Sequence, residues 1–184
     1  MQDRCNRRRR ANRFMGVLIG AAAAGIAFTG VLAAQSSSRP AEPVADLNQL
    51  MRGLFFPHSN VLFSTQRQDP AGIKGALEPS GSSDPLTGVF GKWEAVENSA
   101  LVIAEGADLL MEAGRKCSNG RDVPLAKPDW PRLVNQLREA GMVAFKAAQS
   151  KNLDNMIKAT DVLNTSCQEC HNKYRPRNNA NRCQ

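Results

Sequence analysis

Two cysteines and a histidine stand within one short stretch near the C-terminus of this chain: Cys167-Gln168-Glu169-Cys170-His171. A C-x-x-C-H run is the attachment signal for a c-type haem, and chemistry explains the spacing. Two thiols that add to the two vinyl groups of one porphyrin must reach neighbouring edges of a flat ring. The imidazole beside the second thiol can then turn beneath the iron. On a helix the three residues fall at about 0°, 300° and 40° of rotation, a single arc of roughly 100°. One helix face would therefore present both thiols and the iron ligand together.

Other chemistries use cysteines at this spacing. A thioredoxin-like dithiol opens a helix after a strand, whereas this pair closes a helical pattern. Zinc needs two further ligands, and beyond the N-terminal segment only His58, Cys117 and Cys183 are spare. A disulfide between Cys167 and Cys170 would leave His171 without a role. No other nucleophile, paired acid and base, or phosphate loop stands out, so the chain reads as an electron carrier and not as an enzyme.

The elements that must position this motif are helical. Aromatics are sparse and Ala and Leu frequent, which favours helix over sheet. Four segments carry an apolar repeat of alternating four- and three-residue steps. The first, 44 to 65, aligns Leu47, Met51, Leu54, His58, Val61 and Thr65, with Pro57 predicting a kink or break near Phe56. The second, 89 to 113, aligns Val89, Trp93, Val96, Ala100, Ile103, Ala107 and Leu110, with Gly114 as its cap. A third begins near Asp129, whose carboxylate can cap it, with Pro131 early and Leu133, Leu137, Ala140, Ala144 and Ala148 along one face. The fourth, 152 to 174, carries Leu153, Met156, Ile157, Thr160, Leu163, Cys167 and Cys170. Residues 66 to 88 are rich in Gly, Pro, Ser and Asp and predict a long loop. The expectation is an all-α domain over 44–176, an antiparallel four-helix bundle with haem c bound covalently near its C-terminal end. A polar tail, 177–184, reads as a frayed end.

The N-terminus predicts export. Six arginines within the first 13 residues precede an uncharged apolar run, 15 to 34, that ends in small residues. Such a segment, 1–34, is a signal peptide or, if retained, a membrane anchor through residues 15–34, followed by a linker over 35–43. The domain would then lie in the periplasm, soluble or anchored. The leader also carries most of the net charge of +7; without it 18 basic residues face 16 acidic ones. That near balance argues against a nucleic-acid partner. In an oxidising compartment Cys117 and Cys183 could pair.

The ending Cys170-His171-Asn172-Lys173-Tyr174-Arg175, with Trp93 early in the second helix, resembles the class II cytochromes c, which include cytochrome c′ and the cytochrome c556 type. The resemblance covers 44–176. It implies one covalent haem on Cys167 and Cys170, iron ligated by His171, and Arg175 close to the haem. In the c556 type a Met on the first helix is the sixth ligand, which Met51 matches; in cytochrome c′ the position is open and binds NO or CO. His58, two turns after Met51, is a further candidate for that position, since imidazole also suits haem iron. The resemblance also implies a redox partner protein and a homodimer through the first two helices.

Overall fold

The computed structural model describes residues 42–184; the expected leader and nearly all of the linker lie outside them. The chain is all-α, with no strand among the described residues. None of these helices is long and apolar enough to cross a membrane. Helix α1 (Leu47–Leu50) starts at Asp46, whose carboxylate accepts from Gln49 N–H at 2.7 Å while the Gln49 side chain accepts from Asp46 N–H at 2.9 Å. This reciprocal capping box satisfies two amide donors that a helix start leaves free. The chain then runs without interruption through a π-helical turn, Met51–Phe55, into α2 (Phe56–Ser64).

The kink or break expected near Phe56 is therefore a widened turn. Pro57 has no N–H to donate, and its ring crowds the carbonyl four residues back, on Gly53. Phe56 N–H reaches five residues back, to Met51 O, so the turn immediately before the proline is wider than an α-turn. The widening keeps the helix continuous and carries Met51, Arg52 and Phe55 onto the face that will matter below.

Helix α3 (Trp93–Gly106) is shorter than the apolar repeat implied, because Lys92 precedes it at φ +57° and Ala107–Met111 continue as a 3-10 turn. Trp93, Val96, Ala100, Ile103, Ala107 and Leu110 are all buried, so the predicted face holds; Val89 is outside the helix and 61% exposed. Helix α4 (Asp129–Gln149) buries Trp130, Leu133, Val134, Ala140, Ala144 and Ala148. Helix α5 (Leu153–Tyr174) is capped by the Asn152 side chain, which accepts from Asn155 N–H at 2.9 Å. It buries Met156, Thr160 and Leu163.

Helices α3 and α4 pack along one another, α5 packs on α4, and α2 packs on α3. Small residues let α3 and α4 approach closely. A methyl group on Gly141 would stand 2.7 Å from Ala104 N and 2.9 Å from its Cα, backbone atoms that cannot rotate aside. Gly141→Ala gains about 1 kcal/mol of helix propensity but overpacks this crossing, typically at a cost of 1–3 kcal/mol or more. The expected net loss is about 1 kcal/mol, a fall in Tm of roughly 2–4 °C. A variant that melts at or above the wild-type temperature in a calorimetric scan would contradict the close approach.

Helix α5 meets the first helical run only marginally, at α2. The opening that this leaves on the α1 side is where the sequence motif faces.

Candidate functional site

A cavity of about 620 Å³ lies between the first helical run, α4 and α5. Cys167, Cys170, His171, Arg175 and Met51, the residues singled out from sequence, all line it. Leu47, Phe55, Ile103, Trp130, Leu133 and Leu137 supply apolar wall, so most of the surface excludes water. Its size and mixed lining are those of a site for a single organic molecule.

The motif occupies the last two turns of α5, where Cys167, Cys170 and His171 share the arc expected from helical spacing. Both thiols are free and half-buried. Burial pushes the Cys167 thiol up, and it pushes Cys170 up to about 11, with smaller contributions from the neighbouring Cys167 and Asp129. Burial, and then the charge of Arg175, lowers His171. The helix thus presents two neutral thiols and a neutral imidazole with a lone pair for a Lewis acid.

The end of α5 is pinned to the start of α4. Tyr174 donates its hydroxyl to Asp129 Oδ1 at 2.8 Å, and Lys173 pairs with the same carboxylate. The Tyr174 ring meets Trp130 edge-on, 4.9 Å between centroids at 78°. Burial and the Asp129 bond push the Tyr174 phenol up to about 12, while Lys173 holds the Asp129 carboxyl below its usual range. Trp130 completes the tie by donating its indole N–H to Leu110 O at 3.1 Å. Asp129 was expected to cap α4. It does not; the cap position falls on Pro128 with no side-chain bond, because the carboxylate is already taken by the two α5 groups.

His58 has a different partner from the one considered for it. Its Nδ1 is 3.2 Å from Ser99 Oγ on α3, burial lowers its pKa, and it is not among the residues that line the cavity. Of the two sixth-ligand candidates, Met51 faces the cavity and His58 faces α3. The zinc alternative loses all its spare ligands in the same way, since Cys117 and Cys183 form a disulfide. No cluster of three or more His, Cys, Asp or Glu suited to a bare metal ion occurs among the described residues.

Two contributions to the site have no signature in the motif. Ser166 is buried, lines the cavity, and its hydroxyl has no partner among the described residues. The other buried hydroxyls have partners: Thr65 donates to Leu62 O at 2.7 Å, Thr160 donates to Ile157 O at 2.6 Å, and Ser99 meets His58 Nδ1 at 3.2 Å. A buried polar atom without a partner is rare and points to something in the cavity, ligand or water. The second is the C-terminal tail, which is tethered and not frayed. The Cys117–Cys183 disulfide joins it to the loop after α3, and Cys183 N–H donates to Tyr174 O at 3.1 Å. Cys117, Ser118, Arg182 and Cys183 thereby become cavity wall. The even pair of cysteines was the available signal.

The chain matches no protein-family model, no curated protein and no solved structure.

Proposed function

We propose that the protein is a monohaem c-type cytochrome of the class II kind, an antiparallel four-helix bundle that carries electrons outside the cytoplasm. The observation that carries this reading is the meeting of Cys167, Cys170, His171 and Met51 on one largely apolar cavity. Residues that share no cavity could not serve one ligand; these are far apart in sequence and line the same one.

The residues present suit a haem. Cys167 and Cys170 would hold it through two thioethers, His171 is the imidazole ligand on the same face, and Met51 offers a thioether from the opposite helix. The Ser166 hydroxyl, unpartnered among the described residues, and the Arg175 guanidinium give the cavity polar contacts for a ligand that is not purely hydrocarbon. A haem bound there would supply a one-electron ferric–ferrous couple. Phe55, Trp130, Leu133 and Leu137 keep water from the cavity, and the Tyr174–Asp129–Lys173 cluster holds the α5 end that bears His171 in place. Export is supported by the disulfide as well as by the basic and apolar N-terminus, because such bonds persist in oxidising compartments. The redox partner is a protein, and the near-balanced charge of the domain makes nucleic acid an unsuitable one.

The test is the visible spectrum of the purified reduced protein before and after carbon monoxide, with Met51→Ala alongside. The expected wild-type result is a sharp low-spin α band that the gas leaves unmoved; Met51→Ala should become high-spin and bind the gas. A wild-type spectrum that shifts with carbon monoxide would replace electron transfer with capture of NO or CO at an open iron. A colourless protein, produced in a host that matures haem c, would sink the reading altogether.

A further inference from the structure

The charge inventory of the cavity is one-sided. Arg52, Arg175 and Arg182 all line it, and among the described residues no aspartate or glutamate does. Among the described residues none of the three guanidiniums takes part in an ion pair, although Arg115, Lys116, Arg132, Arg138 and Lys173 all do. Arg52 and Arg175 are exposed. Arg182 is half-buried, and its contacts are neutral oxygens at the limit of hydrogen bonding: Nε to Pro176 O and one terminal nitrogen to Ser118 Oγ, both 3.5 Å. A partly desolvated cation with such weak partners is costly unless an anion joins it.

The chain also invests heavily in keeping this residue where it is. The neighbouring Cys183 is bonded to Cys117, and Asn119 Nδ2 donates to Asn179 O at 3.0 Å and to Arg182 O at 3.1 Å. Ser118 Oγ donates to Asn179 Oδ1 at 2.9 Å. A polar terminal segment is ordinarily free; this one is held by a covalent bond and a cradle of amide contacts, all converging beside the cavity.

We propose that the disulfide-tethered tail is part of the cofactor site, with Arg182 as the residue that receives a ligand carboxylate. The ligand class is a flat, mostly apolar molecule with acidic groups at one edge. Aromatic and aliphatic walls take its body, and a planar guanidinium suits the two oxygens of a carboxylate. The inference rests on the haem reading for the identity of that molecule, whose propionates are the carboxylates meant. Besides the three arginines, the titratable groups on the cavity are His171, Tyr174, Cys167 and Cys170; behind Tyr174, Asp129 is already engaged by Lys173. Among the described residues no carboxylate pairs with Arg182.

The experiment is the midpoint potential of the full-length haem-loaded protein and its variants. Arg182→Gln removes a positive charge and leaves a propionate unpaired, both of which favour the ferric state. The ferrous-to-ferric ratio at fixed ambient potential should fall roughly three- to tenfold, tenfold being about 59 mV for one electron. Arg182→Lys should restore most of the loss. Cys117→Ala/Cys183→Ala should reproduce the fall by releasing the tail, and adding Arg182→Gln to it should change little more, because both remove one interaction. A potential in Arg182→Gln equal to wild type overturns the proposal, as does full additivity with the disulfide variant or a Lys variant as low as Gln. Those outcomes leave a cytochrome standing; a preparation without covalent haem would instead overturn the proposed function and this inference together.

Discussion

Replacing Cys167 and Cys170 by serine is expected to abolish covalent pigment completely. The wild-type protein should keep its colour through denaturation and acidified acetone, with an intact mass of chain plus one haem. The double variant should surrender any colour to the solvent. The effect is all-or-none because a thioether is a covalent bond, while the remaining contacts are burial and ligation that denaturation removes. Each single variant should retain one thioether, and with it the pigment, since the two thiols face the same cavity independently from positions one helical turn apart. His171→Ala should behave differently again: the sulfurs still hold the group, but the iron loses its ligand and the low-spin spectrum is lost. A haem-stained denaturing gel with mass spectrometry reads all five proteins. Wild-type protein without covalent haem, or a double variant that keeps it, would remove the motif from the function.

The parts of this site that were legible in the sequence are those set by local periodicity. The placement of Cys167, Cys170 and His171 on one face follows from helical rotation alone, and so does the buried row from Trp93 to Leu110. Met51 was legible because its face is fixed by Leu47 and Leu54, half-buried and on the same helical run. What the sequence left unread depends on contacts between distant segments. Pro57 signalled an interruption, but whether a helix answers with a break or a wider turn depends on what packs around it, here α3. Asp129 carries the right chemistry for a cap and is diverted by Tyr174, 45 residues away. Val89 fits the apolar repeat but falls before Lys92, where positive φ ends the possibility of a continuous helix. The polar tail has the composition of a free end, and only its covalent partner 66 residues earlier makes it a wall.

Breaking that partnership is the second large effect expected. Cys117 and Cys183 are separated by 66 residues, with Cα atoms 6.5 Å apart, and both are buried. Closing a loop of this length restricts the unfolded chain by about 4 kcal/mol in the chain-entropy account, so Cys117→Ala/Cys183→Ala should lose roughly 3–4 kcal/mol. For a domain of this size that is a fall in Tm of about 6–16 °C. The hydrogen bonds from Asn119 and Ser118 remain available, but each contributes only about 1 kcal/mol and all depend on the tail staying in place. The tail should therefore open locally well below the temperature at which the helices unfold. Limited trypsin digestion separates the two events, because Arg177 and Arg182 lie in the tail and outside helices α3, α4 and α5. Early cleavage there in the variant, with the helical signal intact, is the expected pattern. If the variant melts at the wild-type temperature and its tail resists trypsin as well as the parent, then the amide cradle alone holds the wall and the disulfide is dispensable to it. The pigment should survive in either case, since Cys167 and Cys170 are on α5 and owe nothing to the Cys117–Cys183 bond.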